Sequence, residues 1–262
     1  MLSLNIEGRR ALVAGSSQGI GLASAQALAS LGASCTLIAR NEEALKAALT
    51  TLDTTKGQQH SYLIADFSHP EEVSATINRY AEHEQVHILV NNTGGPPAGP
   101  IVSATTSAFL DAFRQHLVCN HLLTTAVIPG MQHAGYGRII NIISTSVKIP
   151  LRNLGVSNTI RGAVASWAKT MANELAQFGI TVNNVLPGAT ATGRLDAIIN
   201  NKVNKTGVSR DEATEEMLAE IPAKRFGRPE EIAAMVAFLA SPAAAYVNGT
   251  SIPVDGGRTG SI

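Results

Sequence analysis

The sequence predicts an α/β fold: a single-domain, doubly wound parallel sheet in a three-layer α/β/α arrangement. Three observations carry that expectation. Short apolar runs alternate with helix-length stretches six times along the 262 residues, the pattern of right-handed strand–helix–strand crossovers. Several runs are apolar at every position instead of every second one, as strands buried on both faces require. A glycine cluster separates the first run from the first helical stretch, where the chain must turn tightly from strand to helix.

Taken in order, residues 10–14, 35–39, 62–65, 87–90, 138–143, 181–186 and 251–254 read as strands. The helical stretches are 19–31, 42–52, 70–83, 107–133, 157–178 and 229–239. Asn41 is placed to cap the second helix, and Pro70 and Pro229 stand at first-turn positions followed by paired glutamates. Residues 188–222 are polar and charged and interrupt the alternation. Ligands of open α/β sheets bind beyond the carboxyl ends of the strands, so this insertion is placed to be a substrate-side flap.

Composition narrows the function classes. The chain is 45% hydrophobic and 15% charged, which suits a folded globule. Its 20 basic and 20 acidic residues cancel, leaving no electrostatic footprint for nucleic acid or an anionic membrane. Cys35 and Cys119 have neither zinc nor disulfide spacing and read as buried apolar residues in a reducing compartment. The first ten residues carry no apolar leader core, and no run approaches the roughly 18 apolar residues of a membrane span. A soluble cytoplasmic protein acting on small molecules is expected.

After the first strand comes Gly15-Ser16-Ser17-Gln18-Gly19-Ile20-Gly21, leading into a helix. Glycines let backbone approach a pyrophosphate closely, and a helix N-terminus stabilises its charge. Arg40 lies 19 positions past Gly21 at the end of the second strand, with no acid beside it. A carboxylate there would bond the 2′-hydroxyl of NAD, whereas a guanidinium suits a 2′-phosphate. NADP(H) is therefore expected over NAD(H). Glu42 and Glu43 are first-turn helix charges.

With Asn91-Asn92-Thr93-Gly94 after the fourth strand, Ser144 after the fifth, Asn183-Asn184-Val185-Leu186-Pro187-Gly188 and Val254-Asp255-Gly256-Gly257, the chain resembles the short-chain dehydrogenase/reductase family nearly throughout. Gly94-Gly95-Pro96-Pro97-Ala98-Gly99-Pro100 and Arg225-Phe226-Gly227-Arg228-Pro229-Glu230-Glu231 make it most similar to the 3-oxoacyl-[acyl-carrier-protein] reductase-like branch. The resemblance implies a Rossmann-type fold and hydride transfer between NADP(H) and a carbonyl or alcohol, a 3-oxoacyl thioester among the candidates. By position it implies Asp66 at the adenine, Thr192 near the carboxamide, and Asn91, Gly94, Pro187 and Gly188 lining the cofactor. It also implies a dimer or tetramer packed through residues 107–133 and 157–178. Lys202, Lys205, Arg210, Lys224 and Arg225 near the flap could meet an acidic carrier protein, although acids are interspersed among them.

The catalytic positions depart from the family pattern. The family uses an asparagine, a serine, and Tyr-x-x-x-Lys about 13 residues past the serine. Here Ser157 and Arg161 stand 13 and 17 positions after Ser144, and His116 occupies the asparagine's place. The four tyrosines are Tyr62, Tyr80, Tyr136 and Tyr246, none of them at that position. An aliphatic hydroxyl near the 15.7 of water would need a shift worth about 12 kcal/mol to act as the acid at neutrality, so Ser157 does not replace the tyrosine directly. Arg161 can hold ribose hydroxyls, but a guanidinium does not shuttle protons. His116, with a reference value near 6.5, is the candidate acid–base group, and Lys148 is a second. The competing reading is a cofactor-binding sensor or assembly protein that has lost catalysis.

One further motif is a matter of spelling. His83-Glu84-Gln85-Val86-His87 matches the H-E-x-x-H zinc pattern, which needs both histidines on one helical face. This segment runs from a helix end into a strand, so no metal site is expected.

Overall fold

A computed structural model describes residues 3–261; Met1 and Leu2, part of the N-terminal stretch read above for a leader, and Ile262 lie outside the described residues. The strands are β1 (Arg10–Ala14), β2 (Ser34–Ala39), β3 (Ser61–Ile64), β4 (Ile88–Asn92), β5 (Gly137–Ile142), β6 (Ile180–Pro187) and β7 (Ser251–Val254). They form one seven-stranded sheet in the order β3-β2-β1-β4-β5-β6-β7, parallel at every pairing. The chain winds outward from β1 to β3 and then returns to place β4 on the other side of β1. That reversal opens a crevice at the carboxyl ends of β1 and β4, the usual ligand position in such sheets.

Apolar runs at every position follow from two cores. Ala11 and Val13 of β1 pack on one face with Leu28 and Ile232. Leu12 and Ala14 pack on the other with Val73, Ile77 and Leu123. Successive side chains of a strand alternate in direction, so a strand between two helical layers is apolar throughout.

The helices are α1 (Gly19–Ser30), α2 (Glu42–Leu49), α3 (Pro70–Ala81), α4 (Thr106–Phe113), α5 (Cys119–Ala134), α6 (Gly155–Leu175), α7 (Gly193–Thr206), α8 (Arg210–Ala219) and α9 (Pro229–Ala240). Asn41 caps α2 by accepting the Ala44 N–H at 3.0 Å, and proline opens α3 and α9. Two expectations needed correction. The continuous helix over 107–133 is interrupted by a π-helical turn, Arg114–Val118, and Thr105 caps α4 from outside the expected span by accepting the Ala108 N–H at 3.2 Å. An extra residue in one turn leaves the hydrophobic period almost unchanged, so periodicity does not reveal it. Residues 188–222 are also more ordered than their polarity suggested. They fold as α7 and α8 around a small cluster of Leu195, Ile199 and Ala213, with Arg210–Asp196 and Lys202–Glu216 ion pairs outside.

Candidate active site

The glycine turn is built by close backbone approach. A Cβ on Gly15, whose φ is +58°, would lie 2.4 Å from the Asn92 carbonyl oxygen, and one on Gly21 would lie 2.1 Å from that of Gly15. Any side chain at either position would push the turn off the ends of β1 and β4. Gln18 gives no side-chain cap to α1, so the first-turn N–H groups have no intrahelical partner and suit an anion. Ser17, Gln18, Gly19 and Ile20 line the cleft that opens above them.

Ser16, Gly21 and Asn91 lie off the cleft wall. The Ser16 hydroxyl donates to the Val13 carbonyl at 2.8 Å and accepts the Ile38 N–H at 3.1 Å, pinning the turn to β1 and β2 from beneath. Gly21 packs against Gly15. Asn91 begins a buried amide row across the sheet: its Nδ2 donates to Asn141 Oδ1 at 2.9 Å, Asn141 donates to Asn184 at 3.0 Å, and Asn184 donates to Ser251 at 3.1 Å. These residues lie side by side in register. The neighbouring Asn92, one step along the strand and so on its other face, lines the cleft instead and donates to the Gly15 carbonyl at 3.1 Å.

The cleft has a volume of about 1510 Å³ and runs from the ends of β2 and β3 to α7. Arg40 and Asp66 flank one end. Arg40 is 78% exposed and lies 3.9 Å from Asp66. The Asp66 carboxylate accepts the Ser68 N–H at 2.9 Å and its hydroxyl at 2.7 Å, bonds that hold its pKa below the usual range. Pro187, Gly188, Thr192 and Gly94 line the middle.

At the other end Ser144, Ser157 and Arg161 come together on the wall. Ser144 follows β5, and its Oγ accepts the Ser146 N–H at 3.1 Å. Its own proton is thereby left for another acceptor. Ser157 and Arg161 are one turn apart on α6 and share a face. Arg161 is only 8% exposed, unlike an ordinary surface cation. Its Nη1 donates to the Ile142 carbonyl at 2.9 Å and its Nη2 to that of Thr93 at 3.3 Å, joining the end of β5 to the loop after β4. Burial and then the charge of Arg194 push its pKa down to about 10.

His116 sits on the π-helical turn, 1% exposed and behind the wall. Its Nδ1 is hydrogen-bonded to the Thr93 hydroxyl, and Thr93 is the residue that lines the cleft. Its Nε2 is buried without a partner. Burial, then the charges of Arg161 and Arg194, push the ring down to about 2, so it is neutral at ordinary pH. Lys148 is exposed and not part of the wall.

Thr93 and Arg194 were missed by sequence reasoning. The signal for Thr93 was its hydroxyl inside the Asn-Asn-Thr-Gly run. Arg194 had none, because its placement depends on α7 forming within the polar insertion; its Nη2 donates to the Pro96 carbonyl at 2.6 Å. No tyrosine lines the cleft among the described residues. The Tyr136 hydroxyl donates to the Ala240 carbonyl at 2.6 Å, and that of Tyr62 to Glu42 at 2.9 Å. In the zinc-like motif, His87 Nδ1 accepts the Arg10 N–H at 3.1 Å while Glu84 pairs with the Arg10 guanidinium at 2.8 Å.

A doubly wound sheet with a glycine turn at its switch point, opening on a long polar cleft, is the architecture of the dinucleotide-binding α/β proteins. Comparison with known proteins narrows the class. Residues 14–259 match the family model described as Enoyl-(Acyl carrier protein) reductase. The chain is 36% identical over 258 residues to the 3-oxoacyl-[acyl-carrier-protein] reductase FabG of Vibrio cholerae, covering 97% of this chain and 98% of that one. It is 30% identical to the NADPH-dependent reductase BacG of Bacillus subtilis, covering 97% and 99%. Among solved structures, L-sorbose reductase from Gluconobacter frateurii, complexed with NADPH and L-sorbose, superposes with a TM-score of 0.92 at 30% identity over the full length of both chains. The chain belongs to the short-chain dehydrogenase/reductase family.

Proposed function

We propose that the protein is an NADP(H)-dependent oxidoreductase that interconverts a carbonyl and an alcohol in this cleft. The observation that carries the reading is one continuous cleft joining the glycine turn to a serine hydroxyl free to donate. The residues fit a dinucleotide: glycines at 15 and 21 let the turn fold tightly against the ends of β1 and β4, and the uncapped start of α1 opens on the cleft where a diphosphate would lie. Arg40 reads the 2′-phosphate, Asp66 the adenine, and Gly94, Pro187, Gly188 and Thr192 hold the rest. When bound, the cofactor supplies or accepts the hydride.

The chain's own groups orient and protonate. Ser144 donates a hydrogen bond to the substrate oxygen and stabilises the negative charge that develops there. Arg161 holds ribose hydroxyls and keeps positive potential on the site. With no tyrosine on the wall, the proton reaches the oxygen through hydroxyls and water, Ser157 and Thr93 forming the wall side of that path. His116, held neutral, supports Thr93 as a relay and is not a charged acid. The α7–α8 segment acts as the flap of a single-domain protein, and the subunits associate through α5 and α6.

A second reading is a cofactor-binding sensor. The specific observation in its favour is that no tyrosine lines the cleft among the described residues, Ser157 and Arg161 standing 13 and 17 positions after Ser144. The two readings separate when NADPH binding is followed by fluorescence and its oxidation is screened with aldehydes, ketones and 3-oxoacyl thioesters. Binding with carbonyl-dependent oxidation supports the reductase; binding with none across the panel supports the sensor.

A further inference from the structure

The α7–α8 flap leaves the body on two stems that are zipped together at their base. The Ala191 N–H donates to the Gly227 carbonyl at 2.8 Å, and the Gly227 N–H to that of Ala189 at 2.9 Å. Beyond this base the two helices share the Leu195, Ile199 and Ala213 cluster and the Arg210–Asp196 and Lys202–Glu216 pairs, so they move as one body. Among the described residues, one ion pair ties that body to the rest of the protein. Glu220, at the C-terminal end of α8, pairs with Arg258 of the C-terminal segment. Both residues line the cleft.

Glu220 does not serve α8 itself. A carboxylate at the C-terminal end of a helix opposes the helix dipole, which favours a cation there. Arg258 supplies the cation, and only while α8 is seated against the C-terminal segment. That seat is preformed. The Asp255 carboxylate accepts the Gly257 N–H at 3.0 Å and the Thr259 N–H at 2.8 Å, closing a turn in which Gly256 and Gly257 have φ of +65° and +86°. The Gly256 carbonyl accepts the Ala223 N–H at 3.1 Å, so the turn rests on the chain that leaves α8. The Arg258 side chain is 23% exposed and that of Glu220 60%. The arginine belongs to the fixed side, and the glutamate to the side that water reaches.

We infer that the Glu220–Arg258 pair is the latch of the flap, setting how fast a nucleotide enters and leaves the cleft without touching it. The inference rests on the proposed NADP(H) site and adds its gate. The cleft runs from the glycine turn to α7, so nucleotide passes the flap in both directions. An exposed ion pair is worth little, which suits a latch that must open in every cycle. A latch made equally with and without ligand slows both rates by one factor and leaves their ratio unchanged.

The test is stopped-flow fluorescence of NADPH binding to and release from the full chain, with hydrogen exchange of the ligand-free chain beside it. Arg258→Gln and Glu220→Gln should each raise both rates about two- to fivefold, the worth of an exposed pair, with Kd unchanged. Arg258→Lys should stay close to wild type. In the ligand-free chain the two glutamine variants should speed exchange over residues 193–220 by a similar factor and leave β4, β5 and β6 as they were. Unaltered exchange in the flap overturns the proposal whether or not nucleotide binds. So does a change in the release rate alone, which would make Arg258 a contact to the nucleotide. A chain that binds no NADPH but whose flap exchange responds as expected overturns the NADP(H) reading and upholds the latch.

Discussion

His116 shows how one residue acquires its properties from its surroundings. A histidine with a reference pKa near 6.5 invites an acid–base role, but the π-helical turn carries His116 behind Thr93, where burial and two arginines keep it uncharged. Its folded pKa of about 2 lies below the unfolded value near 6.5. Between those values the unfolded chain binds the proton and the folded chain does not, so stability rises with pH and is lost as pH falls through that window. The expected loss from this residue is about 2 kcal/mol between pH 7 and pH 5. Chemical denaturation at the two pH values should show it, and His116→Asn should flatten the dependence; an unchanged slope would mean that His116 is not buried and neutral. Arg40 is testable at the same scale. Arg40→Asp should weaken NADPH binding by about 10- to 100-fold, the worth of a charge-assisted hydrogen bond, and improve NADH binding. Fluorescence titration with both nucleotides measures the switch.

Among the elements, the β1–turn–α1 unit is the most constrained. Gly21→Ala places a methyl group into the Gly15 carbonyl, and because the neighbour is backbone it cannot swing aside. Destabilisation of about 3 kcal/mol is expected, at the upper end of overpacking costs, together with loss of NADPH binding. Thermal unfolding and titration of the variant check both effects. This unit was legible in the sequence because glycine spacing reports directly on backbone geometry. Strand positions were legible too, since burial between two helical layers leaves a continuous apolar run. The asparagine row was not: Asn91 and Asn92 look equivalent in sequence, and only the pleat decides that one joins Asn141 while the other faces the cleft. The π-helical turn escaped notice because it shifts the face of a helix without altering its composition. Helices α7 and α8 escaped because their buried cluster is small and their surfaces are charged.

For the whole molecule, the doubly wound sheet sets where chemistry can occur, and the residues on the cleft wall set what kind. One cleft joins the glycine turn to Ser144, Ser157 and Arg161, and no tyrosine lines it among the described residues. None of its helices is long and apolar enough to cross a membrane among the described residues. Ligand binding to the folded state should stabilise it by about 2.7 kcal/mol at NADPH concentrations one hundred times Kd, visible as a rise in Tm. The central claim is that this cleft both binds NADP(H) and reduces a carbonyl using Ser144 without a tyrosine acid. The most direct test compares NADPH oxidation by the wild-type protein and Ser144→Ala, with carbonyl substrate present and NADPH affinity measured alongside. The account predicts carbonyl-dependent oxidation that falls about 100- to 1000-fold in Ser144→Ala while NADPH still binds. Bound NADPH that no carbonyl oxidises, or oxidation indifferent to the loss of Ser144, would contradict it.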